Sequence, residues 1–177
     1  MFLKNYPFSK TTTLITFLMI LSASFTRQAM DGMTSIVGYE GFKIFIIAIL
    51  IQAGAVFFIV EARRLRNFLR ILVMAGLLAV AFFLMWKIEL PQVRMHILMY
   101  AIVGWFAVRD TTKKALTFRA IFAAWLFASC AGVLEEAFQK LLPYRYFDIQ
   151  DIVFNVVGAS LGVGLFLLRP VCFRERS

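Results

Sequence analysis

The sequence feature that most restricts the possible folds of this chain is a series of six long apolar segments separated by short polar connections. Of its 177 residues 62% are hydrophobic, and the mean hydropathy is +0.82. Soluble domains are closer to half apolar, so the chain is typical of an integral membrane protein. Segments approaching 20 apolar residues can cross a bilayer as helices, which satisfy their own backbone hydrogen bonds. We therefore expect an all-α, polytopic membrane protein. It forms one domain over residues 1–177, a six-transmembrane-helix bundle with spans at about 11–26, 44–60, 71–86, 92–108, 120–136 and 152–168.

The fourth span must begin before its apolar run. Residues 97–108 alone are too few to cross a hydrocarbon core of about 30 Å at about 1.5 Å per residue. A start with Pro91 in the first helical turn supplies the missing length. This start places Arg94 and His96 at the membrane interface, where the longer Arg94 side chain can extend towards water.

The distribution of basic residues predicts the topology. With six spans, the two termini and the second and fourth connections hold 13 of the 19 lysines and arginines, and the other connections hold six. The positive-inside rule then places both termini in the cytoplasm. The connection 137–151 and the His96 end of the fourth helix lie on the outer side. The net charge of +9 comes from these connections, so we expect contact with anionic membrane lipids and no nucleic-acid partner.

Residues 135–143 form the first half of a polar stretch near the end of the chain. Glu136 and Gln139 are three residues apart and project to one side of a helix, with a second acid at Glu135. Pro143 is poorly tolerated inside a helix, so we expect the fifth helix to end before it. Ionisable groups this close to hydrocarbon need a partner, a water-filled site or a function.

The second half of the polar stretch continues into the sixth span. Asp148 is followed by Asp151 and Asn155, and then by Gly158 and Gly162. At about 100° per residue, the last four of these five fall within roughly 60° of one another on a helix. Asn155 in a span most often bonds to a neighbouring helix. The two glycines predict a close helix contact, either within the bundle, which we favour, or between two copies of the chain.

This polar stretch resembles the signature of the VanZ-like family of bacterial membrane proteins. The resemblance is carried by the order and spacing of Glu136, Gln139, Pro143, Arg145, Asp151, Asn155 and Gly158, with His96 and Tyr100 upstream and Asp148 three residues before Asp151. The chain departs from the family at residues 91–94, Pro-Gln-Val-Arg, where typical members carry an acidic residue and a lysine.

The resemblance implies a location and a setting. It implies the bacterial cytoplasmic (inner) membrane, and a link to resistance against glycopeptides such as teicoplanin or against lipid-like antimicrobials. The basic start, apolar middle and small residues at 22–24 could also be read as a cleaved signal peptide. Because the segment resembles the retained first span of the family, we expect it to remain.

Three functions fit these residues. The leading hypothesis is binding of an amphipathic, lipid-linked or glycopeptide-like molecule at the outer leaflet, with Arg145 clamping an anionic head group. Arg145 could instead form only a structural salt bridge with an aspartate. The other residues assigned to ligand binding are Gln139, Asn155, Tyr100 and Asp148.

The second hypothesis is an intramembrane enzyme acting on an envelope lipid. His96 would be the base, and Glu136 or Asp151 the acid that orients it. The structural alternative is an interfacial histidine paired with a neighbour. A proton-coupled transporter is a weaker third hypothesis, because the polar groups gather at one end of the spans. One histidine with several carboxylates could hold a divalent ion, but no paired-histidine motif is present, so we predict no metal and no other cofactor.

Overall fold

Six α-helices make up the described part of the chain. The computed structural model describes residues 7–65, 67–88, 91–143 and 147–169, without the side chains of 91–93. The helices are α1 (Lys10–Val37), α2 (Tyr39–Ala62), α3 (Phe68–Lys87), α4 (Pro91–Thr111), α5 (Phe118–Lys140) and α6 (Ile149–Leu167). No strand occurs within these ranges, so the all-α class is confirmed.

Local sequence signals account for where most of these helices begin. Ser9, Asn67, Thr117 and Asp148 precede α1, α3, α5 and α6, and each side chain accepts a hydrogen bond from a backbone N–H of the first turn. Pro91 opens α4, as the sequence predicts, because its missing N–H and fixed φ suit the first helical position. The fifth helix ends at Lys140, before the proline at 143.

The first connection is much shorter than predicted. The polar residues between 27 and 43 suggested a loop, but only Gly38 separates α1 from α2. Its φ of +75° lies in the region that favours glycine. The charged residues form ion pairs along the helix surfaces instead of interrupting them: Arg27 with Asp31 at 3.9 Å, and Glu40 with Lys43 at 3.6 Å.

Helix α4 lies at the centre of the fold and packs most extensively on α6. Two glycines of α6 permit this approach. A Cβ added at Gly158 would lie 3.0 Å from the Cα of Ile97, and one added at Gly162 would lie 2.9 Å from the Cα of Ala101. Both added atoms would lie still closer to the carbonyl oxygens of Ile97 and Ala101, so neither position has room for a side chain. The glycines on the polar face of α6 therefore contact α4 of the same chain.

Polar contacts define the two ends of the bundle. At one end, the Ser9 N–H donates to the Asp110 carboxylate at 2.7 Å and ties the start of α1 to the end of α4. At the same end Arg169, after α6, pairs with Glu61 of α2 at 2.9 Å. We call this the Asp110 end. The opposite end, where α4 and α6 begin and α5 finishes, contains His96 and is called the His96 end.

Five of the six helices are long and apolar enough to cross a membrane: α1, α2, α3, α5 and α6. Helix α4 is not one of them, because Arg94, His96, Arg109 and Asp110 interrupt its apolar sequence. Large apolar side chains cover much of the outer surface, such as Phe17 and Phe83, which are 56% and 58% exposed. Water disfavours such a surface and hydrocarbon accepts it, so these helices indicate a membrane protein.

Candidate functional site: a buried polar cluster at the His96 end

Three helices bring polar side chains together at the His96 end. His96 comes from the second turn of α4, and Asp151 and Asn155 come from the first two turns of α6. The last turns of α5 supply three more, Glu135, Glu136 and Gln139. All six are buried except Asp151, whose side chain is 14% exposed. We call these six residues the polar cluster.

Asn155 fixes the orientation of the His96 ring. The amide N–H₂ of Asn155 donates to the Gly132 carbonyl at 3.4 Å, so its oxygen faces His96. That oxygen lies 3.0 Å from His96 Nδ1. Since a carboxamide oxygen only accepts, Nδ1 must carry the proton in this arrangement. The second ring nitrogen, Nε2, is left as the basic atom.

Carboxylates surround both sides of the histidine ring. Asp151 Oδ2 lies 3.6 Å from His96 Nε2, and Glu135 Oε2 lies 3.7 Å from Nδ1. These separations exceed a hydrogen bond but allow strong electrostatic contact in a buried setting. A proton arriving at Nε2 would create a charge that Asp151 stabilises.

Gln139 and the start of α6 hold the two glutamates in place. The Gln139 amide donates to Glu135 Oε1 at 3.3 Å and to Glu136 Oε1 at 3.0 Å. The other oxygen of Glu136 accepts the backbone N–H of Asp148 at 3.3 Å. Glu136 therefore links the end of α5 to the start of α6.

Tyr100 lies one turn deeper in α4 on the side of the polar cluster. It is fully buried, and its hydroxyl makes no hydrogen bond of ordinary length. Glu135 and Glu136 are nonetheless its electrostatic neighbours. A small movement of the hydroxyl towards Glu135 would extend the polar cluster into the apolar part of the bundle.

Three members of the polar cluster could share a metal ion. Ligand atoms of His96, Glu136 and Asp151 all lie within 4.8 Å of one another. An imidazole nitrogen with two carboxylate oxygens is a donor set that divalent cations accept. The sequence predicts no metal, because the paired-histidine motif is missing. Such a pattern cannot reveal three donors that come from three different helices.

The remaining predicted site residues have different positions. Asp148 caps α6 through its side chain, which accepts the Gln150 N–H at 2.8 Å, and it is exposed at the rim of the polar cluster. Arg145, the predicted anion clamp, lies outside the described residues. Gly158 and Gly162 lie below the polar cluster and serve the α4–α6 contact.

Sequence reasoning missed two residues at this end. The spacing of four between Glu135 and Gln139 predicts that both project to one side of a helix, but Glu135 is not among the residues assigned to catalysis or ligand binding. For Arg94 the prediction was wrong: its side chain does not reach water and is only 1% exposed. Its Nε and Nη2 atoms donate to the Ile88 carbonyl at 2.9 and 2.6 Å. The reason is that α3 ends at Lys87, so the Ile88 carbonyl beside α4 needs a donor.

No family model, curated protein or solved structure matches this chain.

Proposed function

We propose that this protein carries out acid–base chemistry on an amphipathic molecule of the bacterial cell envelope, with His96 as the general base. The observation that supports it is the position of the His96 ring between Asn155 and Asp151. A general base needs one nitrogen oriented by an acceptor and the other directed at the proton it removes. Asn155 supplies the acceptor for Nδ1, and Nε2, beside the partly exposed Asp151, is the nitrogen we assign to proton removal.

Each neighbour has a role in this mechanism. Asn155 keeps the proton on Nδ1. Nε2 removes a proton from a water or a substrate hydroxyl that approaches along the partly exposed side of the polar cluster at Asp151. The Asp151 carboxylate stabilises the resulting imidazolium, and Glu136 supplies a second acid nearby. The reaction class that fits is attack of this water or hydroxyl on an ester or phosphoester bond, in which the bond to the leaving oxygen breaks and the imidazolium returns its proton to that oxygen.

We also propose the membrane setting that the sequence suggests. In this arrangement α4 also crosses the membrane and brings the number of spans to six, because Arg94 and His96, which lower its hydropathy, are buried among the neighbouring helices. Both termini then lie in the cytoplasm, and the polar cluster lies at the outer leaflet of the cytoplasmic membrane. The resemblance to the VanZ-like family supports a lipid-linked or glycopeptide-like substrate and a link to antimicrobial resistance.

A lipid-conversion assay tests the proposed chemistry. The purified protein in detergent is incubated with a total envelope-lipid extract of the producing bacterium, and the lipids are followed by mass spectrometry. We expect one species to decline and a product to appear. His96→Ala should slow this conversion by about 10²–10⁴-fold, the usual contribution of a general base. Gln150→Ala, an exposed change on α6, serves as the matched control and should convert lipid at the wild-type rate.

Two results would contradict the enzyme. One is a folded wild-type protein that alters no lipid in the extract, and the other is equal conversion by wild type and His96→Ala. A lipid that is retained but never altered would favour the second candidate function, binding of an amphipathic molecule. That candidate has support of its own in an apolar groove on the far side of α4.

A further inference from the structure

An apolar groove runs between α2, α3 and the α4–α6 pair. Its volume is about 850 Å³, which is within the range of sites that enclose small molecules. Its lining includes Leu50, Phe57, Phe82, Ala101, Trp105 and Leu165. Ile51 and Ile102 also line it and are 50% and 37% exposed, so the groove opens at the surface of the bundle.

The residues that line the groove favour a hydrocarbon ligand. None of the residues that line the groove carries a charge, and nearly all of them are aliphatic or aromatic. Along α4 the lining extends from Ile97 to Phe106, roughly 14 Å at the helical rise per residue. Three of the four surrounding helices, α2, α3 and α6, are long and apolar enough to cross a membrane, so lipid chains are the molecules that meet this groove.

A buried positive charge, Arg94, lies on α4 one turn before the first groove residues and is not itself part of the lining. Leu98, Ala101 and Trp105 line the groove at four, seven and eleven residues after Arg94, which places all four side chains within about 60° around α4. Arg94 also donates a hydrogen bond to the carbonyl of Ile88. Ile88 lies three residues after Met85, a residue of α3 that lines the groove. Arg94 therefore lies on the groove side of α4, towards the His96 end.

This charge has no anionic partner in the described part of the chain. Arg94 contacts only the Ile88 carbonyl, and its Nη1 atom has no hydrogen-bond partner. A charge that is 99% buried is unfavourable unless a counter-ion and hydrogen bonds compensate it. The planar guanidinium suits the oxygens of a phosphate or carboxylate.

We propose that this groove binds one hydrocarbon chain of an anionic membrane lipid, whose phosphate or carboxylate head group pairs with Arg94. The apolar lining explains why a hydrocarbon chain would bind. The guanidinium, which has no anionic partner among the described residues, explains why the head group would be negatively charged. His96 lies about 160° from Arg94 around α4, on the face that meets α5 and α6. The lipid site is therefore separate from the polar cluster and does not depend on the chemistry proposed there.

Native mass spectrometry can test the site with two defined lipids. The protein is reconstituted in vesicles of equal parts phosphatidylglycerol and phosphatidylcholine, extracted in mild detergent, and its bound lipid is identified. We expect wild type to retain phosphatidylglycerol over phosphatidylcholine by about tenfold, the value of one charge-assisted hydrogen bond. Arg94→Gln should lose this preference, and Arg94→Lys should keep most of it.

A second variant tests the groove without touching the charge. Gly54 lines the groove and nothing lies within 4 Å of a Cβ added there, so Gly54→Leu adds bulk to the lining at a position with room for its first carbon. We expect it to reduce retention of both lipids. Arg63→Gln is the control, because Arg63 is exposed and lies at the Asp110 end.

Several outcomes would overturn the lipid site. Equal retention of the two lipids by wild type would remove the role of Arg94, as would an unchanged preference in Arg94→Gln. Unchanged lipid retention in Gly54→Leu would remove the groove. A wild-type dimer without lipid would assign the groove to a second copy of the chain.

Discussion

At the scale of single residues, glycines allow the closest contacts between the helices of this protein. Gly132 of α5 lies against Asn155, where an added Cβ would come within 2.6 Å of the Asn155 Cβ, and Gly158 and Gly162 bring α6 onto α4. The sequence predicts the last two, because they continue the face of Asp151 and Asn155. The contact of Gly132 was not predicted, although Glu136 and Gln139, four and seven residues later, share its face of α5.

Two glycine-to-alanine substitutions in α6 should distinguish the effect of the close helix contact on stability from the effect of helix propensity. Gly162→Ala places a methyl group against the Ala101 backbone and should lower the free energy of unfolding by about 1–3 kcal/mol. Gly164→Ala meets only the Leu77 side chain, at 3.7 Å, and should be neutral or stabilising by up to about 1 kcal/mol through helix propensity. SDS-titration unfolding in mixed micelles measures both values. Equal effects of the two changes would contradict the close contact.

At the scale of helices, the start of α1 is attached to the end of α4 through Asp110. Its buried carboxylate accepts hydrogen bonds from the Ser9 N–H and the Thr12 hydroxyl, and Lys113 pairs with it at 2.7 Å. Asp110 lies beyond the predicted span 92–108. Burial alone would raise the pKa of Asp110. The bonds from Lys113, Ser9 and Thr12 outweigh burial and hold that pKa well below its ordinary value of 3.8.

This lowered pKa predicts an acid-sensitive helix contact. A carboxyl group whose pKa is lower in the folded state stabilises the fold above its ordinary pKa, and that stability is lost as the pH falls through the folded value. Stability of wild type should therefore decline below about pH 4. Asp110→Asn should be less stable than wild type at neutral pH and should lose less stability on acidification. Thermal unfolding at about pH 6 and about pH 3 measures this. Asp31→Asn, at an exposed carboxylate of α1, is the control and should behave as wild type.

Element boundaries were predictable where a residue type dictates them. Pro91 fixed the start of α4, and Pro143 the limit of α5. The predicted loop between 27 and 43 is wrong because polar residues in this region do not interrupt the helices. Arg27 and Asp31 satisfy each other on a continuous helix, and only the positive φ at Gly38 required a special residue.

At the scale of the whole molecule, successive helices run in opposite directions, and this decides which helix ends lie on the same side in the proposed topology. Contacts place the start of α1 and the ends of α2, α4 and α6 at the Asp110 end, with most of the basic residues that the positive-inside rule assigns to the cytoplasm. The apolar periodicity predicted the helices. It could not predict that α4 would lie at the centre, since its neighbours are decided by contacts with α5 and α6 that are distant in sequence.

Cysteine labelling from outside the cell measures this topology. With Cys130 and Cys172 replaced by alanine, a membrane-impermeant maleimide should label Gln150→Cys and leave Lys114→Cys unlabelled until the cells are permeabilised. Both positions are exposed in the folded protein. The reverse pattern would contradict the orientation and would move the polar cluster to the cytoplasmic side.

The central position of α4 also has a consequence for how the protein is made. Arg94, His96 and Asp110 lie in a helix that is unfavourable in lipid by itself. The helices that bury His96 and Tyr100 are α5 and α6, and the ribosome synthesises both of them later. If α4 crosses the membrane as proposed, it has to wait during translation at the insertion machinery, or at its boundary with the lipid, until the last helix emerges. A chain that stops before α6 would present unsatisfied polar groups to the bilayer and become a substrate for membrane quality-control proteases.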